Sequence, residues 1–151
     1  MWRAITESDV LTGQNAPSIA AARTAVLKSG QTDPLPEVIA QVTREVCGRV
    51  AACSRNRLGP DGTIPDECLA AAIDICVYRL CKRLGSALVT QLISDANDNA
   101  VQFMRDVAAC EVAIVAPTTP APEAEQAAGG AAAENASTTT RRYTRDKLSG
   151  L

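Results

Sequence analysis

The chain has 151 residues, 46% of them hydrophobic and 21% charged, which is the length of one modest domain. Its formal charge of −2, from 15 Lys and Arg against 17 Asp and Glu, lacks the basic excess of a dedicated nucleic-acid binder, and with no histidine the chain has no Ser-His or Cys-His nucleophile pair. With aromatics at 3%, the interior must be filled by Val, Ile, Leu, Ala and Cys, which suits helices better than strands, so an all-α core over about residues 6–115 is expected.

Thr6 followed by Asp9 has the spacing of a capping box and predicts a short helix ending near Leu11 or Thr12, before Gly13. Asn15, Ala16 and Pro17 then supply a cap and an early-turn proline for an Ala-rich second helix, with Ile19, Ala22, Val26 and Leu27 as its apolar positions and a stop at Ser29-Gly30. A third helix opens after Asp33-Pro34, because Val38, Ile39, Val42, Val46, Val50 and Cys53 recur at helical spacing as far as about Ser54. The stretch SRNRLGPDGTIP is a loop punctuated by glycine and proline, with Arg55 and Arg57 at its entrance.

Pro65, Asp66 and Glu67 open a fourth helix whose stripe is read as Leu69, Ile73, Cys76, Val77, Leu80 and Leu84, with Arg79, Lys82 and Arg83 at its C-terminal end before Gly85. SALVTQLI fits either a helical turn or a short extended stretch. Ser94 is the expected cap of the last helix, with Val101, Met104, Ala108 and Val112 on one face and Phe103, Val107 and Cys110 widening it. Beyond Pro117 the composition turns to Ala, Pro, Thr and Gly with no large apolar side chain for more than 20 positions. Such a segment builds no core of its own, so the chain divides into a helical body over 1–116 and an extended C-terminal arm over 117–151. The fold expected is therefore a small bundle of four to five helices with an extended arm.

Candidate chemistry is sparse. The pairs Asp66 with Glu67 and Asp95 with Asp98 lie at helix starts, where they complement the macrodipole, and no base, nucleophile and orienting group come together. Neither glycine-loop phosphate motif is present, so no cofactor is expected. The six cysteines contain no C-x-x-C, and no metal site is expected. The opening MWRAITESDV has no signal-peptide core, so synthesis in a reducing cytosol is expected, with the cysteines packed as small reduced hydrophobes. Arg44, Arg49, Arg55, Arg57, Arg79, Lys82 and Arg83 form either solvated helix faces or a patch for phosphate or an acidic protein surface. In the arm, Arg141, Arg142, Tyr143, Arg145 and Leu148 combine the charge and apolar area that anchor an interface, so these five with Arg55 and Arg57 are the candidate partner contacts.

IAQVTREVCGRVAAC, the loop SRNRLGPDGTIPDE and the helix CLAAAIDICVYRLCKRL together resemble the head-to-tail connector, or adaptor, proteins of tailed phages, particularly the Mu-like virion group. The matching positions are Ile64, Pro65 and Leu69, the last one place further along than the pattern, and then Asp74, Ile75, Tyr78, Arg79 and Leu80; they span about residues 1–115. Cys68, Cys76 and Cys81 stand where aliphatics are expected, and the Ala/Pro-rich tail lies outside the shared pattern.

The resemblance implies a non-enzymatic virion protein at the neck, assembled in the cytoplasm of a bacterial host. It implies a homo-oligomeric ring beneath the portal protein, matching the portal's twelve-fold symmetry, that links it to the next neck or tail-completion protein. No membrane is involved, and DNA is met only as the passing genome. A small helical DNA-binding or packaging-associated protein using the arginine cluster is the alternative, and a helical regulator that binds a partner through the arm is a third reading.

Overall fold

The computed structural model describes residues 1–13 and 16–119. In chain order they form β1 (Trp2–Arg3), α1 (Glu7–Val10), α2 (Ala16–Lys28), α3 (Leu35–Ala52), β2 (Ile64–Pro65), α4 (Asp66–Leu84), a 3₁₀ turn (Ser86–Leu88) and α5 (Gln91–Ala108). The expected helical bundle is present, with one addition. β1 and β2 pair antiparallel, Trp2 opposite Pro65 and Arg3 opposite Ile64, over a length too short to show strand alternation in the sequence. Asn15 and residues 120–151 lie outside the described residues.

The capping box forms as read. Thr6 Oγ1 accepts the Asp9 N–H at 3.3 Å, and Asp9 Oδ2 accepts the Thr6 N–H at 2.8 Å. These Thr6 hydrogen bonds, with Arg3 alongside, hold the Asp9 carboxyl below its usual range. α2 ends in a Schellman motif: Gly30 has φ +80°, its N–H reaches Leu27 O at 3.1 Å, and the Gln31 N–H reaches Val26 O at 3.3 Å. Only Ile19 of the α2 stripe is buried, and Leu27 is 48% exposed. What holds α2 is Arg23, whose Nε donates to both Asp33 carboxylate oxygens at 2.8 and 2.9 Å while Nη2 reaches Glu7 Oε2 at 3.1 Å. One guanidinium thereby joins α1, α2 and the turn before α3.

α3 follows its predicted stripe: Val38, Val42, Val46 and Val50 are buried, with Leu35 at its start. α4 lies at the centre of the bundle, against α1, α2, α3 and α5. Its buried face is Cys68, Ala71, Ala72, Ile75, Cys76, Leu80 and Cys81, so the predicted stripe is rotated by about one residue. Leu69, Val77 and Leu84 are half-buried at the edge of the core, and Ile73 lies on the wall of a surface groove. The rotation arises because three cysteines and two alanines on that face are small enough for neighbouring helices to approach closely. α5 begins at Thr90, whose hydroxyl accepts the Ile93 N–H, rather than at Ser94. Ile93, Ala100, Met104 and Val107 are its buried positions, while Val101, Phe103 and Ala108 flank them and Val112 lies beyond the helix end.

The cysteines divide into two groups, which corrects the expectation that all six are reduced. Cys68, Cys76 and Cys81 are free and buried on α4, and burial pushes the Cys68 and Cys76 thiols up to about 12. Cys53 and Cys110 instead form a disulfide, with Cα atoms 5.3 Å apart and 57 residues between them in sequence. Spacing could not reveal this pair, because the ends of α3 and α5 meet only once the helices pack.

Leu80→Asp, which would bury an unpaired charge, should abolish folding through a loss of several kcal/mol, whereas Ile73→Asp at the groove should cost about 1 kcal/mol; circular-dichroism melts of the two variants distinguish these outcomes. Reducing the disulfide should lower stability by up to about 4 kcal/mol, as read from urea melts with and without dithiothreitol.

Candidate partner interface

The two ends of the described chain meet at one corner of the bundle. Trp2 lies over Gly59, where a Cβ would stand 2.5 Å from the indole Cε3, so this loop position excludes any larger residue while the ring stays in place. The indole N–H donates to Val115 O at 3.0 Å, and the Val115 N–H donates to Glu67 Oε1 at 3.3 Å. Alongside, Met1 O accepts the Asp66 N–H at 2.8 Å, and the terminal amine pairs with Asp66 Oδ2 at 3.2 Å. Residues 111–119, the strap that follows α5, are thereby held against the head of α4. Val112 and Ile114 pack on the core from the same strap. Trp2, Gly59 and Val115 were missed in the sequence because none belongs to a periodic stripe.

Of the candidate partner contacts, Arg55 is used inside the chain, donating to the Cys110 carbonyl, while Arg57 is exposed and makes no ion pair among the described residues. Arg141, Arg142, Tyr143, Arg145 and Leu148 lie outside the described residues. The rest of the arginine cluster also separates into two sets. Arg79 pairs with Glu45, and Arg83 Nη1 pairs with Glu37 Oε2 at 2.8 Å, both across the α3–α4 contact. Lys82 Nζ sits 5.4 Å from the centre of the Tyr78 ring. Arg44 and Arg49 make no ion pair among the described residues.

The residues that carried the resemblance divide in the same way. Ile64, Ile75 and Leu80 are buried, Pro65 caps α4, Tyr78 and Arg79 serve the α4 surface, and Leu69 flanks the core. Asp74 has another setting: it lines a groove of about 200 Å³ with Val10, Ile73, Val77, Leu92 and Ile93, and burial there raises its pKa. Among the described residues no group of three His, Cys, Asp or Glu side chains could hold a metal, and no helix is long and apolar enough to cross a membrane.

Gly59→Ala should displace the indole, which is the chain's single tryptophan, and shift its fluorescence emission to the red while far-UV circular dichroism stays helical. Asp74→Asn should raise stability at neutral pH. A carboxyl whose folded pKa is raised binds its proton more tightly in the native state, so the wild type loses stability as pH rises from the unfolded value of 3.8 through the folded one. Urea melts of both proteins across that range should converge at the acid end.

Comparison with known proteins places this geometry in a family. The sequence pattern of the family described as Bacteriophage Mu, Gp36 matches residues 5–133. The match takes in the whole helical body and runs into the Ala/Pro-rich segment, further than the resemblance suggested, and it ends before the basic residues at 141–145. No curated protein and no solved structure matches the chain. A pattern that covers most of the chain, on a bundle whose elements account for that pattern's core and cap positions, makes this protein a member of the Bacteriophage Mu Gp36 family.

Proposed function

We propose that this phage protein is a structural component of the virion neck, a head-to-tail connector whose copies form a ring beneath the portal and carry the next neck or tail-completion protein. The observation that carries this reading is the fate of the cations. Arg79, Arg83 and Arg55 are bound within the chain, so the cluster that would serve DNA is largely spent on holding the bundle together. What the body presents instead is a corner where both chain ends are secured and from which the basic C-terminal segment departs. Family membership supplies the phage setting. In this reading the protein has no enzymatic step, the ring has the portal's twelve-fold symmetry, assembly takes place in the host cytoplasm, and the genome only passes through.

Arg44, Arg49 and Arg57, which make no ion pair among the described residues, favour DNA binding or a packaging role as the second reading. Mixing purified protein with assembled portal, followed by gradient sedimentation and negative-stain imaging, tests the first reading. Co-sedimenting rings are expected. A chain that stays monomeric and leaves the portal unbound overturns it, and a salt-dependent shift of duplex DNA by that same chain establishes the second.

A further inference from the structure

The end of α5 has an unusual construction. Its last turn closes as a Schellman motif, with the Cys110 N–H on Val107 O at 3.1 Å and the Glu111 N–H on Asp106 O at 2.9 Å. The residue that must enter the left-handed region in that motif is ordinarily glycine, because a Cβ crowds the backbone there. Here it is Cys110, at φ +65°, alone among the described non-glycine residues in having a positive φ. Two bonds hold it in that conformation: the disulfide to Cys53, and the Arg55 guanidinium on its carbonyl oxygen. The conformation of Cys110 sets the direction in which the strap leaves α5.

We propose that the Cys53–Cys110 disulfide is a redox-controlled clasp, which secures residues 111–119 against the ends of α3 and α4 when oxidised and lets them detach when reduced. Without the cross-link, Cys110 remains in a backbone region its side chain disfavours, and relaxation out of that region breaks both Schellman hydrogen bonds. Both cysteines line an open cleft of about 290 Å³ with Arg55, Asn56, Val112 and Ile114, so a small thiol can reach the sulfur atoms. The other cysteines do not compete, since Cys68, Cys76 and Cys81 are buried, and Cys47 donates its thiol to Thr63 O at 3.4 Å.

The exchange is balanced by an external disulfide. A protein thiolate attacks glutathione disulfide and expels one glutathione thiolate; the second protein thiolate attacks the mixed disulfide and expels another, and the two protons pass to solvent. Glutathione disulfide is reduced as the two cysteines are oxidised. Dithiothreitol reverses the exchange and becomes a cyclic disulfide.

The full chain in glutathione disulfide and in dithiothreitol tests the clasp, with intact mass after thiol alkylation counting the free cysteines. A Glu-specific protease reads the strap at Glu111 and the body at Glu37 and Glu45. In dithiothreitol, cleavage after Glu111 should be about tenfold faster and Trp2 emission should shift to the red, at a temperature where far-UV circular dichroism is unchanged. Cys53→Ser should show the fast rate in both buffers, and if that variant fails to fold, the wild-type comparison alone decides. Six alkylatable thiols in glutathione disulfide would overturn the proposal, and so would equal cleavage in the two buffers. Cuts after Glu37 and Glu45 that accelerate in step with Glu111 would also overturn it, by showing a staple of the whole fold rather than a local clasp.

Discussion

The enclosure of α4 is the constraint on which the rest of the structure depends. A helix flanked by α1, α2, α3 and α5 must be apolar over a wide arc, and it must also be slim, because branched side chains all round would hold its neighbours apart. Cys68, Ala71, Ala72, Cys76 and Cys81 meet both demands, leaving Ile75 and Leu80 to supply bulk. The core balances this slim face with large side chains from elsewhere, chiefly the valine row and Leu35 of α3 and Met104 and Val107 of α5. The departures from aliphatic character that stood out at Cys68, Cys76 and Cys81 are therefore a packing device, with buried sulfur serving as a small hydrophobe.

Burial alone does not choose how α3 slides along α4, and the ion pairs address that freedom. Arg79 meets Glu45 and Arg83 meets Glu37, so positions later in α4 pair with positions earlier in α3, as an antiparallel register requires. Gln41 lies between the two carboxylates and accepts from Arg83 Nη2 at 3.1 Å. Pairs this exposed contribute about 0–1 kcal/mol each, so their effect is on register more than on stability. Their functional consequence is larger, because cations engaged in this way no longer form a basic surface. The Arg23 network, joining Glu7 and Asp33, does the same for the peripheral helices and involves a less exposed guanidinium.

What was legible in the sequence was whatever depended on one segment at a time. The Thr6–Asp9 cap, the Ser29-Gly30 stop and the valine row of α3 follow from local hydrogen bonding and from a period of 3.6 residues, and each is present. The stripe of α4 was displaced because periodicity weights Leu69, Ile73 and Val77 above cysteine and alanine, whereas packing on several sides favours the smaller set. Thr90 was passed over as a cap because the three-residue 3₁₀ turn before it interrupts any regular pattern. The corner around Trp2 and the Cys53–Cys110 bond were illegible for a different reason. Each joins residues more than 50 positions apart, and no local rule relates them. Of the candidate contacts, Arg55 was recognised as functional but assigned outward, while the fold turns it inward.

The same corner explains how a body this small can govern a segment with little capacity to organise itself. Residues 117–140 contain no large apolar side chain, so no internal core offsets the entropy of ordering them, about 1–2 kcal/mol per residue. The body instead fixes where that segment begins, through Val115 held between Trp2 and Glu67 and through Val112 and Ile114 packed on the core. A tether with a fixed origin raises the effective concentration of its distal residues at any surface within reach and leaves it negligible elsewhere. In the proposed ring this selection is repeated by every copy, so weak contacts made by the basic end would sum while the helical body stayed unchanged. On that arrangement specificity comes from the geometry of departure as much as from the chemistry of the segment's own residues, and the side chains that set it, Trp2, Gly59, Glu67 and Cys110, belong to the body.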